Sequence, residues 1–186
     1  MPPSVHSVLV APAAGEPMLL VPRASLVAGL GIRGDRYAIG LGYWSDPRWL
    51  DQQLTLIESE HLERLGLTAA QLRRNIVTRG IDLTAHLGQE VTLGQVRILL
   101  VRPCEPCRYI ELFTHTGAFK ELEGLSGVRA AILTSGDVHA GDAIAASIGG
   151  PPVGAGVADT LTHPAQTCTN PSPSPTVPTQ PGRSPE

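Results

Sequence analysis

Hydrophobic positions in this chain fall in runs of four to six residues: 5–10, 18–21, 53–57, 75–78, 90–93, 96–101, 128–133 and 143–148. The runs are apolar or alternate apolar with polar, and several are rich in Val, Ile and Thr, so they predict strands with at least one buried face. Glycine-bearing turns separate them at Leu87-Gly88-Gln89, Leu93-Gly94-Gln95, Ser135-Gly136-Asp137 and Ala140-Gly141-Asp142. Helical spacing is rarer. Residues 58–65 bring His61, Leu62 and Leu65 to one face, 68–73 open on Thr68 at an N-cap position, and 118–122 predict a third short helix. Many short strands with few helices predict a mainly β fold closed, or nearly closed, into a barrel.

Two segments break the pattern. Residues 29–49 hold glycines, arginines, an acid and aromatics with no period, and a loop of that length in a compact domain is usually functional or disordered. Its aromatic residues favour function. Residues 151–186 hold nine of the seventeen prolines and no aromatic residue. Proline removes a backbone donor and fixes φ, and such a stretch cannot bury enough apolar surface to offset its ordering entropy. The expected organisation is one domain over 1–149 and a disordered Pro/Ser/Thr-rich tail over 150–186, with Cys168 an incidental thiol in the tail.

The 186 residues, 42% of them hydrophobic, suffice for one core and are too few for two ordinary domains. A net charge of −3 gives no footing for general nucleic-acid binding. No apolar run reaches the roughly 18–20 residues of a membrane span. The N-terminus lacks the basic and apolar regions of a secretory signal. Three cysteines are too few and too odd for a disulfide framework, which points to a reducing, cytoplasmic setting.

Candidate chemistry concentrates in Arg102-Pro103-Cys104-Glu105-Pro106-Cys107-Arg108. Thiolate, not thiol, is the nucleophile and the soft-metal ligand, and the flanking Arg102 and Arg108 would favour it. A buried pair of small hydrophobes is the plain alternative, but the prolines, glutamate and arginines describe a polar loop. A structural zinc site would need two further ligands, and His115 is the nearby candidate. A thioredoxin-like pair would need a strand-to-helix turn in a βαβ unit, where the surroundings read as strands. A single activated thiolate, acting as carrier or metal ligand, fits the segment best. Leu72-Arg73-Arg74-Asn75 reads either as arginines at a helix C-terminus or as an anion-binding fork. Gly34-Asp35-Arg36 reads either as a local ion pair or as a glycine that lets backbone approach a ligand. The histidines are scattered and form no ligand spacing.

Taken in order, Gly34-Asp35-Arg36-Tyr37, residues 53–58, Arg73-Arg74-Asn75-Ile76-Val77, Leu87-Gly88, Leu93-Gly94, Cys104-Glu105-Pro106-Cys107 and residues 128–142 resemble the MOSC domain, named for the C-terminal domain of molybdenum cofactor sulfurase. The likeness is greatest to its small stand-alone bacterial members. It implies a β-barrel whose essential cysteine, here Cys107 with Cys104 secondary, carries sulfur or binds the molybdenum of the pterin cofactor. It implies that Arg73 contacts the cofactor phosphate, with Asn75, Arg33, Gly34 and Asp35 around it. It further implies a cysteine desulfurase using pyridoxal phosphate and an electron-transfer partner. The implied outcome is reduction of N-hydroxylated compounds such as hydroxylaminopurines, or sulfur transfer. A non-catalytic module that hands cofactor or sulfur to a partner is the rival.

Overall fold

The computed structural model describes residues 2–42 and 50–146. The proline-rich tail, and the expectation that it is disordered, lie outside them. So do Cys168 and the end of the aperiodic segment, residues 43–49.

Eight strands form one sheet: β1 (Ser4–Val10), β2 (Leu19–Val21), β5 (Leu54–Glu58), β6 (Ile76–Arg79), β7 (Glu90–Leu93), β8 (Val96–Pro103), β9 (Val128–Ile132) and β11 (Ile144–Ala146). Their order is β11-β7-β8-β9-β5-β6-β1-β2. A second sheet joins β3 (Arg23–Val27), β4 (Gly31–Ile32) and β10 (Gly136–His139) in the order β10-β3-β4. The large sheet curls so that the β11 end comes against β1, the strand next to the other end. Ser4 on β1 bridges Ala143 just before β11, and the Val5 N–H donates to Asp142 O at 2.8 Å. The expected β-rich barrel is therefore present as a curled eight-stranded sheet with a small sheet beside it.

One pair in the large sheet, β5 with β6, is parallel. A parallel pair cannot be joined by a hairpin, so the chain crosses over through α1 (Ser59–Leu65) and α2 (Ala69–Leu72). Gly66 ends α1 at φ 63°, and Thr68 and Gln71 form a reciprocal capping box that starts α2. The helices cover the outer face of the sheet, where Leu62, Leu67 and Leu72 pack on Leu9, Ile57 and Val77. Inside the curl lies the larger core, including Val8, Leu54, Ile76, Ile98, Leu100 and Val128. The third helix, α3, is Ala118–Glu121.

The eight expected strands and three helices are present within one or two residues of their expected bounds, except that β11 is described only to Ala146. Three strands were not expected: β3, β4 and β10. In place of the turn that Ser135-Gly136-Asp137 predicts, Gly136 pairs with Leu26 inside β10. A Cβ there would sit 2.9 Å from Val96 Cγ2, so the glycine serves close packing.

Candidate functional site

The cysteine loop leaves the end of β8. Its first cysteine is fixed by the Cys104 N–H donating to Gly127 O at 2.8 Å, and Cys104 is 3% exposed. Extended backbone at Cys107, φ −134°, leads into a 3-10 turn over Arg108–Leu112. Cys107 is half-buried, and no disulfide joins the two. The flanking arginines that the sequence offered as electrostatic partners are engaged elsewhere: Arg102 with Asp51, and Arg108 over the Phe119 ring at 5.3 Å.

Four other arginines share a cavity with Cys107. Cys107, Glu105 and Tyr109 line a cavity of about 60 Å³ together with Arg36, Arg73, Arg74 and Arg129. The crossover delivers two of them. Arg73 follows α2 in a left-handed conformation, φ 57°, which swings the chain from helix into β6. Its guanidinium donates to Glu16 O at 2.7 Å and Ala13 O at 3.4 Å, and lies 4.7 Å over the Phe113 ring. Burial first, and then the neighbouring Arg36, lower the Arg73 pKa. An arginine starts so high that it keeps its proton at neutral pH. Burial likewise raises the Tyr109 pKa, with Arg73 opposing. Arg74 donates to Ser126 O at 2.8 Å and Ser126 Oγ at 2.7 Å.

Arg129 enters from β9, directly across from Arg102 in the β8–β9 register. Its Nη1 donates to Gln52 Oε1, while its Nε and the Gln52 Nε2 are buried donors with no acceptor. Leaving a buried donor unmet costs about 1–3 kcal/mol, and of these two residues Arg129 lines the cavity while Gln52 is not part of its lining. Among the described residues, Arg73, Arg74 and Arg129 have no carboxylate within ion-pair distance. Arg36 does: Asp35 holds it at 3.0 Å.

Asp35 and Asn75 support the cavity from behind. Asn75, fully buried, donates to Leu9 O at 3.1 Å and to Asp35 Oδ2 at 3.0 Å, and accepts from Thr55 Oγ1 at 2.9 Å. Asp35 also accepts from the Ala11 and Tyr37 N–H groups. Arg36 Nη2 donates to Arg73 O at 3.0 Å, which completes a network tying the 34–37 turn to β1 and β6. Of the expected residues, Cys107 and Arg73 line the cavity, and Asn75 and Asp35 stand behind it. Cys104 lies under the loop and lines a neighbouring groove with Phe119 and Lys120. Arg33 and Gly34 are exposed and are not part of the cavity lining.

Sequence reasoning did not find Arg36, Arg74 or Arg129 as site residues. Arg74 carried a signal beside Arg73, and Arg36 carried one within the Gly34-Asp35-Arg36 turn. Arg129 becomes a neighbour of the cysteine loop through strand register alone. His115, weighed as a zinc ligand, lies 3.2 Å from Glu121, and no group of three or more His, Cys, Asp and Glu among the described residues is placed to hold a metal ion.

A model of the MOSC domain matches residues 48–145. No curated protein matches by sequence. Among solved structures, the YUAD protein from Bacillus subtilis superposes with a TM-score of 0.63 at 18% identity, covering 77% of this chain and 94% of its own. YiiM from Escherichia coli superposes with a TM-score of 0.55 at 19% identity, covering 78% of this chain and 68% of its own. YiiM from Geobacillus stearothermophilus gives 0.56 at 18% identity, covering 78% and 75%. At these identities the likeness is one of fold.

Proposed function

The chain belongs to the MOSC domain family, and from that premise we propose that Cys107 is its reactive centre, set in an anion site that grips the phosphate end of molybdenum cofactor. One observation carries the reading: a half-buried thiol shares a small cavity with four guanidiniums, one of which keeps a buried donor without an acceptor. A cavity of about 60 Å³ has room for a phosphate-sized group and is partly open to solvent. Arg73, Arg74 and Arg129 would hold the phosphate by charge-assisted hydrogen bonds. Asp35 neutralises Arg36 and keeps it against the Arg73 carbonyl, a positioning task. Cys107 supplies a soft thiolate suited to molybdenum, or to a carried sulfur atom. When bound, the cofactor supplies a redox-active molybdenum centre. Reduction of N-hydroxylated purines, with an electron-transfer partner, is the activity this reading favours. Sulfur delivery by a cysteine desulfurase is the second.

The test separates the two cysteines. In a host sensitised to hydroxylaminopurines, the Cys107→Ser chain should fail to protect, whereas Cys104→Ser should retain protection in proportion to its folded fraction. Protection by Cys107→Ser with loss in a well-folded Cys104→Ser would overturn the assignment.

A further inference from the structure

A thiol among guanidiniums, in room for one tetrahedral oxyanion, has a chemistry of its own. Among the described residues, the cavity beside Cys107 holds Arg73, Arg74 and Arg129 without carboxylate partners, and Glu105 is the one carboxylate in its lining. The balance is cationic even after Asp35 offsets Arg36. Such a wall attracts a small dianion and holds a dianionic leaving group equally well. Arg129, which lines the cavity, also keeps a buried Nε donor with no acceptor among the described residues.

We propose that this pocket accepts a sulfane-sulfur oxyanion, with thiosulfate the smallest of the class, and that Cys107 takes its outer sulfur. The proposal rests on Cys107 being the reactive thiol of an anion site, and it names a substrate for that site. The Cys107 thiolate attacks the outer sulfur. A bond forms between Cys107 Sγ and that sulfur, the sulfur–sulfur bond of thiosulfate breaks, and its electron pair leaves with sulfite. A thiolate and a thiosulfate dianion become a persulfide anion and a sulfite dianion, so atoms, charge and electrons balance without a further oxidant or reductant. Cyanide or an acceptor thiolate then removes the terminal sulfur and restores the Cys107 thiolate. Sulfite leaves as a stable dianion and needs no proton. A phosphate ester attacked by the same thiol would release an alkoxide that needs a proton, for which Glu105 is the one carboxyl in the described lining, whereas sulfur transfer calls for no such donor.

The experiment incubates the reduced full-length protein with thiosulfate. It reads intact mass, the position of any added sulfur, and sulfite released. Expected is one added sulfur on Cys107 with one sulfite released, no adduct in Cys107→Ser, and thiocyanate on adding cyanide. Arg129→Gln should raise the KM for thiosulfate about tenfold or more with a smaller change in kcat, as loss of a charged hydrogen bond at the binding step requires. Arg129→Lys, which keeps the charge, should recover part of that loss, so a folding failure of the first variant does not decide the matter. Inorganic phosphate should compete. No adduct and no sulfite, with phosphate still protecting Cys107 from iodoacetamide, would overturn this inference and leave the anion site standing. No protection by phosphate either would overturn both. Sulfur found on Cys104 instead, or hydrolysis of 4-nitrophenyl phosphate dependent on Cys107, would overturn the substrate assignment.

Discussion

Arg73 is where a single residue joins stability to binding. Read along the chain it is a charge at a helix end, where replacement would scarcely matter to the fold. In the structure it is 6% exposed, caps α2 in a left-handed conformation and fastens the 13–16 turn through two carbonyls. Arg73→Ala should therefore lower stability by about 1–3 kcal/mol, which chemical denaturation would measure. It should also weaken phosphate protection of Cys107 against iodoacetamide by roughly ten- to a hundredfold. Arg73→Lys should restore binding in part, since lysine keeps the charge and loses the planar fork. Unchanged protection with lowered stability would make Arg73 structural alone. At this scale the sequence showed residue types and not partners. Cys107 and Arg73 were legible because the motif places them. Asn75 was legible as a polar neighbour of Arg73 in a candidate anion-binding fork, but its burial and its bond to Asp35 depend on β1, β5 and β6 lying side by side. Arg102 and Arg108 sat next to the cysteines in sequence and turned away in space.

Among the elements, the junction of β9 with the cysteine loop has the least slack. Gly127 has φ 80°, and a Cβ there would lie 2.0 Å from Leu56 O on β5. Its own carbonyl holds the Cys104 N–H. Gly127→Ala should destabilise the protein by about 2 kcal/mol or more and loosen the loop, seen as faster alkylation of the buried Cys104. At the other end of β5, Glu58 is 3% exposed, and burial raises its pKa despite the opposing Leu83 N–H and His61. The fold thus prefers the protonated acid. That contribution is complete below the ordinary carboxylate range and is lost as pH rises through the higher folded value. Glu58→Gln should match the wild type in mildly acid buffer and exceed it in melting temperature at neutral pH. A gain in acid that vanishes at neutrality would contradict the sign. Strand existence was read well from apolar alternation. Strand β4 was missed because it is two residues long and lies inside the aperiodic segment, β3 because its Arg23-Ala24-Ser25 start reads as polar and small, and β10 because Gly136 mimics a turn while serving close packing against Val96.

For the whole molecule, the ordered run of weak motifs gave the family and the barrel class, because register and curl follow from many short strands taken together. The site's charge did not follow, since Arg74 reaches it through the crossover and Arg129 through the β8–β9 register. Composition sets one further expectation. A chain ending at Gly150 should keep the melting temperature and activity of the full one, and a clear loss of either would give the tail a role. The central claim, an anion site with Cys107 as its reactive thiol that holds molybdenum cofactor, is tested most directly by purifying the protein from a molybdenum-replete host and measuring bound molybdenum and pterin. The wild type should carry both, Cys107→Ser should lose molybdenum more than pterin, and Arg129→Gln should lose the two together. A folded wild type carrying neither, with both still absent after incubation with isolated cofactor, would contradict it.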